Sequence, residues 1–135
     1  MIPDKILEED IANIAESIDE LSRKINGRTF LITGGSGFIG KYLVQTLHFL
    51  NTNKLKRKCR IISVDNYITS SSEHSWLTKS REVEFIKLDV SKPFKISASV
   101  DYIVHAAGIA SPVDYGKYPL ETIDTAVYGT RNALD

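Results

Sequence analysis

Cysteine is all but missing: Cys59 is the single one in 135 residues. No internal disulfide can form, which fits a reducing compartment, and a small apolar residue opening a strand is the plain reading of that position. Long hydrophobic runs are missing too. Nothing approaches the ~20 apolar residues of a membrane span, and there is no signal-peptide core, so the cytoplasm is the expected location. Charge of one sign is not in excess, with Lys and Arg numbering 17 and Asp and Glu 17. That balance excludes a broad basic surface for nucleic acid and an acidic disordered tail. There is no internal repeat, no low-complexity tract, and no metal site is read. What remains is 42% hydrophobic and 25% charged, ordinary for one globular domain.

The chain is organised around Thr33-Gly34-Gly35-Ser36-Gly37-Phe38-Ile39-Gly40. The apolar run Phe30-Leu31-Ile32 precedes it and the periodic run Tyr42, Leu43, Leu47 follows, so it reads as strand, glycine turn and helix start. The spacing G-x-x-G-x-x-G is a variant of the dinucleotide fingerprint. Gly34 allows a tight exit from the strand. Gly37 leaves out a Cβ where backbone must approach a pyrophosphate, and Gly40 lets the helix pack close on the sheet. The helix N-terminus offers amide donors and a positive dipole end to an anion.

Upstream, Leu7, Ile11, Ile14, Ile18, Leu21 and Ile25 alternate steps of four and three. They predict an amphipathic helix within residues 1–26 carrying a narrow, coiled-coil-like stripe. Packing on its own domain and pairing with a partner, such as a second copy, are both open. Residues 27–135 read as a second unit. Thr29 to Thr33 is its first strand, and a helix runs to about Leu50. Arg60 to Asp65 is an apolar run suited to a buried parallel strand. A short helix is expected around Ser75 to Lys79. Glu82 to Leu88 is a third strand ending in Asp89-Val90, and Asp101 to Ala107 a fourth ending in His105-Ala106-Ala107-Gly108. The link between those two is too short to hold much helix. From Pro119, the pattern Leu120, Ile123, Val127, Leu134 predicts a helix. This order is that of a doubly wound parallel α/β sheet, Rossmann-like, in which ligands sit at the carboxyl ends of strands. Gly34 to Gly40, Asp65, Asp89 and Ala106 to Gly108 all fall there.

Taken together, the glycine turn, Asp65-Asn66, Leu88-Asp89-Val90 and His105-Ala106-Ala107 resemble the extended short-chain dehydrogenase/reductase family, the NAD-dependent epimerases and dehydratases that modify nucleotide sugars. Ala110-Ser111-Pro112-Val113-Asp114-Tyr115, Tyr118-Pro119, Thr122-Ile123-Asp124-Thr125 and Gly129-Thr130-Arg131-Asn132 are similar to the UDP-glucuronate decarboxylase group within it. The resemblance implies NAD as cofactor and a nucleotide-diphosphate sugar as substrate. It implies Gly34, Gly37, Phe38, Ile39 and Gly40 at the pyrophosphate, Asp65 and Asn66 at the adenosine ribose, and Asp89 and Val90 at the adenine. Ala106, Ala107, Gly108 and Thr125 would line the nicotinamide side, with Ser111, Pro112, Tyr115 and Asn132 near the sugar nucleotide. An acid at Asp65 repels a 2′-phosphate and so favours NAD over NADP.

Three departures from the group's pattern stand out. Its T-I-K-T-N run is here Thr122-Ile123-Asp124-Thr125-Ala126, which puts an acid where that group's lysine meets substrate and argues against a glucuronate. Ala126 replaces an asparagine that, by the resemblance, helps order the proton-transfer region, and alanine cannot hydrogen-bond. The family's Tyr-x-x-x-Lys pair is missing: Tyr42, Tyr67, Tyr102, Tyr115, Tyr118 and Tyr128 are followed four residues later by Thr46, Ser71, Ala106, Pro119, Thr122 and Asn132. No catalytic residue is therefore assigned. The chain reads as the cofactor-binding half of an enzyme that works through a transient keto-sugar, inactive by itself. The alternative is a non-catalytic dinucleotide-binding or regulatory module. A third reading, an assembly protein built on the N-terminal helix, would need self-association that depends on residues before Gly27.

Overall fold

A computed structural model describes residues 4–69 and 80–135; the helix expected around Ser75 to Lys79 lies outside the described residues. Strand β1 spans Thr29–Thr33, β2 Arg60–Asp65, β3 Val83–Lys87 and β4 Tyr102–His105. All pair in parallel in the order β3-β2-β1-β4. In register, Leu31 faces Ile62 on one side and Ile103 on the other. The strands after β1 are laid down first to one side and then to the other, so the order reverses between β1 and β4. That crevice is where a doubly wound sheet takes ligands.

The sheet is covered on both faces, as all-parallel sheets require. Alternation along β1 sends Phe30 and Ile32 into a core with Val44, Leu47, Cys59 and Ile61, while Leu31 joins Ile62, Val64 and Val90 on the other face. Helix α3, Phe38–Asn53, covers the first face through Val44, Leu47 and Leu50. The link from β3 to β4 holds no helix, as its length implied. It covers the second face instead with Phe94, Ile96 and Val100. Helix α5, Pro119–Leu134, packs beside β4, and a short α4, Pro112–Lys117, leads into it.

Two elements differ from the sequence reading. The N-terminal helix is not continuous to Ile25. Helix α1 spans Asp4–Ser17, a 3₁₀ turn follows at Asp19–Leu21, and one further turn, α2, spans Ser22–Ile25. The Ser17 hydroxyl donates back to the Ile14 carbonyl at 2.7 Å, a local bond that competes with continued helix. The bend lets Ile25 reach the core beside Cys59 and Phe30. Before the bend, a straight helix buries a 3.6-residue line, so Ile11 and Ala15 are buried while Ile14 is exposed. The helix packs on α3, where Tyr42 donates to Asp10 at 2.9 Å and Lys54 to Asp19 at 3.0 Å. The second difference is α4, which the sequence reading did not anticipate. Ser111 at the N-cap and Pro112 at the first helical position are its start signal.

Candidate functional site

The glycine turn joins β1 to α3 at the reversal point, and each glycine there meets a different demand. Gly34 has φ +68°, and a Cβ on it would lie 2.6 Å from the Ala106 carbonyl oxygen and the Ala107 backbone. A Cβ on Gly40 would overlap the Gly34 carbonyl. These two glycines let the turn close on the sheet. Gly37 differs: its φ of −71° suits any residue, and a Cβ there would meet the Gly34 oxygen alone, at 3.2 Å. The missing side chain at Gly37 keeps space open above the turn.

Gly37 is also the N-cap of α3, and no side chain caps that end. Lys41 N–H is the first to return to the Gly37 carbonyl, at 2.9 Å. The amides of Phe38, Ile39 and Gly40 therefore have no acceptor within the helix, which leaves donors and the positive dipole end for an anion. The side chains of Phe38 and Ile39 project into solvent beside them, and Phe38 meets Tyr42 edge to face.

Asp65 ties the turn to the loop after β2. One carboxylate oxygen accepts the Ser36 amide at 3.0 Å and the other the Tyr67 amide at 2.8 Å. Tyr67 sits at φ +60°, a left-handed conformation unusual for an aromatic residue. Burial, then the Asp65 charge, raises its phenol above the usual tyrosine range. Asn66 accepts the Ile68 amide at 3.1 Å, closing a second small turn. On the far side, the Thr33 hydroxyl accepts the Ala107 amide at 3.1 Å and pairs with His105 Nδ1 at 2.7 Å. The ring packs against α5 at Gly129, where a Cβ would come within 3.1 Å of it.

These contacts shape an open cleft. Of the residues expected at the cofactor, Gly34, Gly37, Asp65, Asn66, Val90, Ala106, Ala107, Gly108 and Thr125 line it. Phe38, Ile39 and Gly40, in the first turn of α3, are not part of the lining. Asp89 does not line it: one carboxylate oxygen accepts the amide and hydroxyl of Ser91, at 3.0 and 2.7 Å. Val64, Ile68, Thr69, Leu88 and Ile109 complete the wall, none of them assigned to the cofactor from the sequence. Strand-end position would have found Val64 and Leu88, each one residue from an acid the sequence reading marked. Asp65 is the one ionisable group among the described lining residues.

The residues expected at the sugar lie further out. Ser111 and Pro112 begin α4, two residues beyond Ile109, and Tyr115 on the same helix is 46% exposed. Asn132 donates to the Val90 carbonyl at 2.9 Å, which ties α5 to the cleft wall. Asp124 and Ala126, on α5, flank Thr125 and are not part of the lining.

An all-parallel sheet with a glycine turn feeding an uncapped helix at the reversal of strand order defines a Rossmann-like α/β protein. More narrowly, the chain belongs to the NAD dependent epimerase/dehydratase family, whose model matches residues 30–135. It is 41% identical over 106 residues to UDP-glucuronic acid decarboxylase 6 of Arabidopsis thaliana, covering 77% of this chain and 28% of that protein. UDP-glucuronic acid decarboxylase 3 of the same plant is 42% identical over the same shares. UDP-glucuronic acid decarboxylase 1 of Xenopus tropicalis is 34% identical over 148 aligned residues, covering 97% of this chain and 32% of that protein. The chain thus spans about a third or less of the length of these relatives.

Proposed function

We propose that this chain is the cofactor-holding half of an NAD-dependent nucleotide-sugar epimerase, dehydratase or decarboxylase that works through a transient keto-sugar. The observation that carries the reading is the Gly37 turn, where space left by a missing Cβ faces three uncapped amides at the point of strand reversal. A pyrophosphate would be held by the amides of Phe38, Ile39 and Gly40. The adenosine ribose would meet Asp65 and Asn66, with the adenine toward Val90 and Asp89. Ala106, Ala107, Gly108 and Thr125 would form the nicotinamide wall. Ser111, Pro112, Tyr115 and Asn132 would face the sugar nucleotide from α4 and α5.

Bound NAD supplies a reversible hydride acceptor for a sugar carbinol. This chain's residues orient it, and the Asp65 carboxylate in the cleft wall disfavours a 2′-phosphate. They hold no tyrosine with a lysine four residues on, so the proton transfer that accompanies hydride removal is supplied by groups beyond these residues. Asp124, in place of the decarboxylases' lysine, favours a sugar without a carboxylate over a glucuronate. A cytoplasmic homodimer serving polysaccharide biosynthesis completes the reading. A non-catalytic dinucleotide-binding or regulatory module is the second reading, favoured by Ala126 and by the missing pair.

Calorimetric titration with NAD and with NADP tests the cofactor assignment. NAD is expected to bind at least about tenfold more tightly, equivalent to about 1.4 kcal/mol. Addition of nucleotide sugars to the NAD-loaded chain is expected to give no turnover. Equal or tighter binding of NADP would remove the role given to Asp65.

A further inference from the structure

Charge balances over the whole chain, with 17 Lys and Arg against 17 Asp and Glu, but the fold sorts it. Two stretches without an acid, residues 22–28 and 54–60, carry Arg23, Lys24 and Arg28 in the first and Lys54, Lys56, Arg57, Lys58 and Arg60 in the second. Distant in sequence, they are pinned side by side. Gly27 N–H donates to the Arg57 carbonyl at 2.9 Å, Arg57 N–H to the Asn26 side chain at 2.8 Å, and Arg60 N–H to the Arg28 carbonyl at 3.0 Å. The Arg57 side chain lies across Gly27, where a Cβ would come within 3.1 Å of its Nε. All of these cations are exposed. Arg28, Lys54, Lys58 and Arg60 pair with Asp101, Asp19, Glu82 and Glu84 at 2.8, 3.0, 2.7 and 2.9 Å. Among the described residues, Arg23, Lys24, Lys56 and Arg57 have no acid as partner.

We propose that this basic cluster is a docking surface for an anionic lipid leaflet. The proposal goes beyond the preceding reading and is independent of the cofactor. The cluster forms the end of the molecule where β1 and β2 begin, and the cleft lies where they end. Five-residue β1 separates the two by about 16 Å, so a docked chain keeps its cleft open to solvent. None of the four unpaired cations lines the cleft or the groove between α1 and α3. A small ligand needs a concave site, whereas these cations are presented to a flat partner. Apolar groups stand beside them. Leu21, two residues before Arg23, is 45% exposed, and Tyr102, 40% exposed, donates to the Lys24 carbonyl at 3.4 Å. Cations next to leucine and tyrosine suit the headgroup layer of a bilayer, where aromatic rings settle and each Lys or Arg adds electrostatic attraction. An acidic protein segment would use the cations alone.

Co-sedimentation of the full 135-residue chain with lipid vesicles tests the proposal. Phosphatidylcholine vesicles containing about 30 mol% phosphatidylserine should capture the chain at about 0.05 M salt and release it at about 0.5 M, as the Debye length shrinks. Vesicles of phosphatidylcholine alone should not capture it. Lys56→Gln combined with Arg57→Gln should weaken capture about 25-fold, about fivefold for each cation. Lys87→Gln combined with Lys95→Gln removes the same charge away from the cluster and should change capture by less than about twofold. All four side chains are exposed, and the salt response of the unmodified chain gives the answer should a variant fail to fold. No capture by the phosphatidylserine vesicles at low salt, equal capture by phosphatidylcholine alone, or an equal loss in the Lys87 and Lys95 variant would overturn the proposal. Binding to poly-glutamate without binding to vesicles would assign the cluster to an acidic protein segment and overturn it as well.

Discussion

Gly37→Val should abolish dinucleotide binding, weakening NAD by at least about 100-fold, or about 2.7 kcal/mol, while the protein stays folded. The glycine turn offers three positions for this experiment, and only one separates binding from folding. A side chain at Gly34 meets both a positive φ and the backbone of Ala106 and Ala107, and one at Gly40 overlaps the Gly34 carbonyl. Either substitution would disturb the junction of β1, β4 and α3, so lost binding would say little about a phosphate. At Gly37 the backbone is extended, and the single neighbour of a new Cβ is one carbonyl oxygen at 3.2 Å. Valine is a poor N-cap residue, so a loss of stability on the order of 1 kcal/mol is expected. Its two methyl groups occupy the space over the uncapped amides. A folded Gly37→Val variant that binds NAD with unchanged affinity would show that the turn is not a phosphate cradle.

The largest single loss of stability should come from a residue remote from the cleft. Asn51, near the end of α3, is 4% exposed, and its amide brackets the backbone of Cys59. Its side-chain oxygen accepts the Cys59 amide at 2.7 Å, and its nitrogen donates to the Cys59 carbonyl at 2.9 Å. The side chain thus acts as a short strand partner at the point where the chain enters β2. Asn51→Ala leaves both backbone groups of the fully buried Cys59 without partners. At about 1–3 kcal/mol for each orphaned group, the expected cost is about 2–6 kcal/mol. Asn51→Asp keeps the acceptor and removes the donor, and it also buries a charge, so it should be no milder. Urea unfolding followed by circular dichroism measures both variants. A loss below about 0.5 kcal/mol for Asn51→Ala would mean that water replaces the amide.

The contrast between these residues shows what the amino-acid order discloses. Strands β1 and β2 were legible to the residue because each is an apolar run bounded by turn chemistry, whereas the strand order, and with it the reversal between β1 and β4, is set by pairings distant in sequence. The cleft's glycines and acid were legible because backbone conformation and charge are properties of the residue itself. Asn51 was not, since an asparagine in a helix announces nothing until β2 arrives beside it. Asn132 was assigned to the sugar side by resemblance, and the structure gives it the Val90 carbonyl as partner. The break after Ser17 escaped notice because the apolar periodicity continues through it. Only contact with α3 decides that Ala15, rather than Ile14, lies on the buried line.

The central claim is that a dinucleotide occupies the cleft between the glycine turn and the ends of β2 and β4. The most direct measurement is the amide nitrogen–proton spectrum of the labelled chain as NAD is added. Saturable shifts are expected at Gly37, Phe38, Ile39 and Gly40, and along the walls at Asn66, Val90, Ala107 and Thr125. The amides of α1 and of the outer half of α3 should stay still. A saturable response centred on α1 and α3, or none anywhere at millimolar NAD (a Kd weaker than about −4 kcal/mol of binding), would contradict the account.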